Sequence, residues 1–146
     1  MSALCRFALI TVLLVSLSGC AGQQSGSSPS LYQRLGGQAG IHDIVTDFLI
    51  NVADDPRIVG YFAHTNIDYL AASLEQYICD LSDGPCTYEG PSMARAHQHM
   101  GLTDASFNAL VDNLQQALIA RDIDTGARNA LLGRLAPQYN EVMRDQ

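Results

Sequence analysis

Ile41-His42-Asp43-Ile44-Val45-Thr46-Asp47-Phe48-Leu49-Ile50-Asn51-Val52 is the stretch that decides the fold class. Its apolar members Ile41, Ile44, Val45, Phe48, Leu49 and Val52 follow the i, i+3, i+4, i+7, i+8, i+11 series of one helical face. Asp55-Pro56 closes this helix, and Gly36-Gly37 separates it from a short helix begun at Leu31. The same period returns downstream. Leu70, Leu74, Tyr77, Ile78 and Leu81 form a second stripe, ended by Asp83-Gly84-Pro85. Phe107, Leu110, Val111, Leu114, Ala117 and Leu118 form a third, with Thr103 as its N-cap. Leu131, Leu132, Leu135, Tyr139 and Val142 form the last, capped by Asp124. Pro137 is expected to bend that helix, because proline removes one backbone donor. No window alternates with period two over the length of a strand. The pattern predicts an all-α domain of four main helices joined by short connectors.

The 146 residues suffice for one ordinary domain and not for two. All eight basic residues are arginines, spread along a chain of net charge −7. An acidic chain without a basic cluster excludes nucleic acid as the main partner, and it excludes an anionic lipid surface held by charge.

The N-terminus reads as a processing signal. Arg6 is the one charge ahead of an apolar run from Phe7 to Leu17, too short to span a bilayer, which takes about 20 residues. The run ends Leu17-Ser18-Gly19-Cys20-Ala21, which resembles a bacterial lipobox, with Cys20 as the lipidation site. The other reading is an ordinary signal peptide with a coincidental Cys. Ala21 in place of Asp after the Cys points to the periplasmic face of the outer membrane, with the lipid anchor as the only membrane contact. The expected organisation is a signal over 1–19, a lipidated Cys and flexible Gly/Ser tether over 20–30, and a folded domain over 31–146. Cys5 leaves with the signal, so Cys79 and Cys86 remain as a pair in an oxidising compartment. Cys-x6-Cys is not a zinc spacing, so the pair is read as a local disulfide, against two free buried thiols.

Between Tyr88 and Thr103 the long-helix pattern breaks. Glu89-Gly90-Pro91 is followed by Ser92-Met93-Ala94-Arg95-Ala96-His97, two helical turns at most before Gly101. His97 and His99 point in different directions on a helix and cannot jointly hold one metal there. His42 and His64 carry no motif. A zinc-protease HExxH, a CxxC pair, a Gly-rich phosphate loop and a Gly-x-Ser-x-Gly elbow are all missing from the sequence.

Several segments, in this order and spacing, resemble the group 1 truncated haemoglobins. They are Leu31-Tyr32-Gln33-Arg34-Leu35-Gly36-Gly37, Asp47-Phe48-Leu49, Asp55-Pro56-Arg57, Tyr61-Phe62-Ala63 and Gly84-Pro85-Cys86-Thr87-Tyr88-Glu89-Gly90. Met93-Ala94-Arg95-Ala96-His97, Gly101-Leu102-Thr103 and Phe107 continue the likeness, which runs from Leu31 to about Val142. The resemblance implies a shortened globin-like fold, a two-over-two helical sandwich around haem. It places His97 at the proximal position, as the protein ligand to haem iron. It puts Phe62 against the distal haem face. Leu70, Leu74, Tyr77, Tyr88 and Met93 fall at positions that line the haem cavity, as do Leu102, Phe107, Leu110 and Leu135.

The distal side departs from the family. Where members commonly carry a Tyr after the Phe of the second helix and a Gln on the next, this chain has Leu49, Leu70 and Leu74. Those positions offer a gas ligand no hydrogen-bond donor. Tyr77, standing where the family usually has Phe, supplies one only if its hydroxyl turns inward; Tyr61 is a weaker substitute. The resemblance therefore implies a haem protein that binds O2, CO or NO, in oxygen binding, transport or sensing. The alternatives are a haem enzyme acting on nitric oxide or peroxide, and a lipid-anchored module that has lost its haem.

Overall fold

The helix carrying the opening stretch spans Gly37–Asp54 (α2), and it buries Ile41, Ile44, Val45, Phe48 and Val52 on one face. The computed structural model describes residues 28–146. The expected signal segment, Cys20 and most of the tether lie outside the described residues. The remaining helices are α1 (Leu31–Arg34), α3 (Ile67–Leu81), α4 (Met93–His97), α5 (Asp104–Ala120), α6 (Thr125–Leu135) and α7 (Tyr139–Val142), with a 3-10 turn at Val59–Phe62. No strand is present among the described residues, and none of their helices is long and apolar enough to cross a membrane.

Local chemistry sets the helix boundaries. Ser30 and Gln33 cap α1 reciprocally, and Thr103 and Ser106 do the same for α5. Asn66, Ser92 and Asp124 accept the free backbone N–H at the starts of α3, α4 and α6. Gly36 sits in the left-handed region at φ 90°, where a side chain would be strained. Gly40 packs so closely on the α1–α2 junction that an added Cβ would lie 2.1 Å from the Leu35 carbonyl oxygen. At Pro137 the chain does more than bend. The last helix breaks there into α6, a 3-10 turn over Ala136–Gln138, and α7. The missing N–H and the clash of the ring with the preceding turn end the α-helical ladder outright.

α2 packs on both α3 and α5. The core between these helices is completed by Ala109, Ala117 and Leu118 of α5 and by Ala127 and Leu131 of α6. Charged ties brace it from outside. Arg121 at the end of α5 reaches Asp47 of α2 at 2.6 and 2.7 Å, and Arg34 of α1 reaches Asp124 at 2.5 Å. Arg134 of α6 donates to the Leu81 carbonyl at the end of α3 at 2.5 Å, satisfying a free helix terminus.

A buried polar cluster joins the end of α2 to α5. Asp55, 8% exposed, accepts from Arg57 Nη2 at 2.7 Å and Nε at 2.9 Å, and from Asn113 Nδ2 at 2.7 Å. The Arg57 hydrogen bonds, followed by that from Asn113, hold the Asp55 carboxyl well below the ordinary carboxylate range. Its stabilising effect is full above the unfolded pKa of about 3.9 and is lost as pH falls through that value toward the folded one. Wild type is therefore expected to lose stability progressively below about pH 4. Asp55→Asn should be less stable at neutral pH and should show a flatter acid limb, measured as denaturant midpoints against pH. Parallel acid limbs in the two proteins would remove Asp55 from the account.

Candidate functional site

α3, α4 and α5 enclose a cavity of about 360 Å3, walled almost entirely by apolar side chains. α3 turns Leu70, Leu74 and Tyr77 toward it at i, i+4 and i+7, the spacing of one helical face. α4 adds Met93 and His97, and α5 adds Phe107 and Leu110. Phe62 enters from the 3-10 turn, Tyr88 and Leu102 from the loops flanking α4, and Leu135 from the end of α6. All the residues placed by resemblance at a cofactor cavity thus share this one space.

Leu49 is the exception. The sequence places it on the distal wall, but it packs against the core and does not line the cavity. Its neighbour Phe48 takes that place. Consecutive residues on a helix point about 100° apart, so the orientation of α2 admits one of the two and sends the other away. The lining also includes Ile58, Thr65, Ser73, Met100 and Gln138, which no sequence signal singled out. Met100 lies in the irregular segment after α4, where periodicity carries no information.

His97 is held in one orientation. Its Nδ1 lies 2.8 Å from the Met93 carbonyl oxygen, four residues back on the same helix. A carbonyl only accepts, so Nδ1–H is the donor, and in the neutral ring Nε2 is the nitrogen with the lone pair. Metal-binding imidazoles are oriented in this way, by a hydrogen bond from the nitrogen that does not coordinate. The end of α4 is fastened from the C-terminus: Gln146 Nε2 donates to the His97 carbonyl at 2.9 Å, and His99 N–H donates to the Asp145 carbonyl at 2.9 Å. Among the described residues no group of three His, Cys, Asp or Glu could hold a metal ion. A lone imidazole in an apolar cavity suits an ion that brings most of its own ligands with it.

The other histidines lie outside the cavity. His42 is exposed, with its Nδ1 2.8 Å from Glu75 Oε1, and His64 and His99 are exposed as well. Three tyrosines line the cavity. The Tyr61 hydroxyl donates to the Gly101 carbonyl at 3.4 Å and the Tyr88 hydroxyl to the Pro91 carbonyl at 3.1 Å. The Tyr77 hydroxyl is buried and has no partner. Its ring packs edge-on against Tyr88 with centroids 5.0 Å apart. Cys79 and Cys86 are disulfide-bonded, two residues beyond Tyr77 and two before Tyr88. The bridge therefore brackets the aromatic pair. Gly84 inside this loop leaves no room for a side chain: an added Cβ would lie 2.6 Å from Cys79 Sγ and from Tyr32.

Residues 30–143 match the family described as bacterial-like globin. The chain is 32% identical over 117 residues to a group 1 truncated hemoglobin of Tetrahymena thermophila, covering 80% of this chain and 93% of the relative. It is 29% identical to group 1 truncated hemoglobin GlbN of Mycolicibacterium paratuberculosis, covering 77% and 83%. Among solved structures, the 2/2 hemoglobin of Synechococcus sp. PCC 7002, in the cyanomet state with covalently attached heme, superposes with a TM-score of 0.76. That pair is 26% identical over 80% of this chain and 99% of the other. The truncated hemoglobin of Tetrahymena pyriformis in its Fe(III) form superposes with a TM-score of 0.75 at 24% identity, covering 78% of this chain and 97% of the other.

Proposed function

Because the chain belongs to the bacterial-like globins, as a group 1 truncated haemoglobin, we propose that His97 is the one protein ligand to the iron of its haem. Haem is the cofactor of this globin, and when bound it would supply an iron able to take up a diatomic gas. The observation that carries the reading is the His97 Nδ1–Met93 carbonyl hydrogen bond at the cavity wall, which leaves Nε2 as the coordinating atom. The residues around it fit the group. Apolar side chains from three helices and the 3-10 turn exclude water from a flat apolar ligand, and Tyr77 has a buried hydroxyl still to satisfy.

Leu70 and Leu74 give the side facing His97 an apolar surface. An apolar wall favours CO, whose charge separation is small. It disfavours O2, which retains a gas-binding site better where a donor meets its partial negative charge. O2, CO and NO are the ligands of this reading, with oxygen binding or sensing as the role. Titration of the full chain with haem, followed by absorption of the ferric, ferrous and CO forms, tests it. One haem per chain and a CO-shifted ferrous band are expected; failure to bind haem would end the proposal. The module without haem is disfavoured by an apolar cavity that keeps His97 and Phe62 on its wall.

The lipoprotein reading of Cys20 stands as part of the same proposal and rests on the residues alone. Export to the periplasmic face of the outer membrane is supported by the basic, apolar and small-residue order ahead of that Cys. Cys20→Ala should move the protein from the membrane fraction to the soluble fraction. Equal membrane association in the variant and wild type would reject the anchor.

A further inference from the structure

We propose that the Tyr77 hydroxyl is the hydrogen-bond donor to a gas ligand in this cavity, replacing the donors that its leucine wall lacks. The proposal rests on the haem-and-gas reading above. Three observations carry it. First, among the described residues Tyr77 Oη is the buried side-chain polar atom with no hydrogen-bond partner. A buried hydroxyl without a partner is costly, and in a native structure its usual explanation is a missing ligand. Second, the hydroxyl belongs to a ring that lines the cavity, on the same face of α3 as Leu70 and Leu74. Helical side chains lean toward the N-terminus, which carries a residue at position 77 back over the turn holding Leu74.

Third, the other tyrosines and the imidazole on this wall are already engaged. The hydroxyls of Tyr61 and Tyr88 are bonded to backbone carbonyls, and His97 Nδ1–H is spent on Met93. Tyr88 packs edge-on against the Tyr77 ring, and the Cys79–Cys86 bridge fixes the chain on both sides of this pair. The donor is thus held in place before any ligand arrives. Burial, with smaller contributions from Tyr88 and Asp80, pushes the Tyr77 phenol above its ordinary value, so it keeps its proton at neutral pH. Leu70 and Leu74 cannot donate, and Tyr77 carries the buried, unpartnered hydroxyl on their face of α3, so it is the group assigned to discriminate O2 from CO.

Tyr77→Phe in the haem-loaded full chain is the test, because it removes the oxygen and little else. O2 release should accelerate by roughly tenfold or more, the factor set by losing one hydrogen bond to a buried acceptor. CO release should change little, while the C–O stretch of the ferrous CO form rises. The apoprotein should melt at a higher temperature than wild-type apoprotein, since the unsatisfied hydroxyl is gone. Adding Leu74→Gln to Tyr77→Phe should slow O2 release again by returning a donor from the preceding turn. Unchanged O2 release with an unchanged C–O stretch would overturn the proposal. Faster haem loss with unchanged O2 release would overturn it too, by assigning the hydroxyl to a haem carboxylate. A wild-type chain that takes up no haem would overturn the underlying reading, and the proposal with it.

Discussion

His97→Ala is expected to lose haem under conditions in which wild type retains it through gel filtration. The side chain is the one imidazole lining the cavity, and in the proposed reading it holds the iron. His99 is two residues away but exposed, and its backbone is tied to Asp145. Met93 and Met100 line the cavity and carry thioethers, but α4 presents His97 with its lone pair already oriented through Met93. Losing a metal ligand together with its orienting hydrogen bond costs far more than the 10–100-fold typical of an orienting partner alone. The apoprotein fold should survive, since the core of α2, α5 and α6 does not include His97. Unchanged far-ultraviolet circular dichroism with loss of the ferrous and CO bands is the expected pair of results. Unaltered ferrous and CO spectra in the variant would remove His97 from the iron.

Cys79→Ser/Cys86→Ser is expected to produce the largest change in stability. A bridge closing so short a loop contributes on the order of 2–3 kcal/mol. For a domain of this size that is a drop in Tm of roughly 10 °C. The loop it closes contains Gly84, already packed against Cys79 and Tyr32, and it leads to Tyr88 on the cavity wall. Freed of the bridge, the segment opens at lower cost, so haem should also leave faster than from wild type. Thermal unfolding of oxidised wild type, reduced wild type and the double variant checks this. Reduced wild type should melt with the variant, well below the oxidised protein. Coincidence of all three melts within about two degrees would show that the bridge contributes nothing, against the expected shift.

Much of the fold was legible because the apolar period is strong and the helix ends are chemically marked. Thr103 and Asp124 are caps of the ordinary kind, and Gly36 supplies the left-handed break, whereas Ser30, read as the end of the tether, caps α1. His97 was legible only through resemblance. Its spacing from other histidines says nothing, whereas its place at the end of a short helix after Met93 matches a family pattern. What stayed hidden depends on helix rotation and on long-range pairing. Phe48 and Leu49 are both large and apolar, so pattern alone cannot say which faces the cavity and which packs into the core. Asn113 is buried on α5 beside the apolar stripe, and its reason appears only with Asp55, 58 residues earlier, which accepts its hydrogen bond. Pro137 announced a disturbance, but whether a proline bends or ends a helix is decided by what packs around it. Here Leu135 and Gln138, on either side of Pro137, both line the cavity, so the break serves to shape its wall.

The central claim is an iron held by His97 through Nε2. Resonance Raman spectroscopy of the ferrous protein without added gas tests it most directly, because an iron–imidazole stretch reports that bond alone. The band should be present in wild type, absent in His97→Gly, and restored when free imidazole is supplied to the variant. An iron–imidazole band that persists in His97→Gly without added imidazole would contradict the account, since another histidine would then hold the iron.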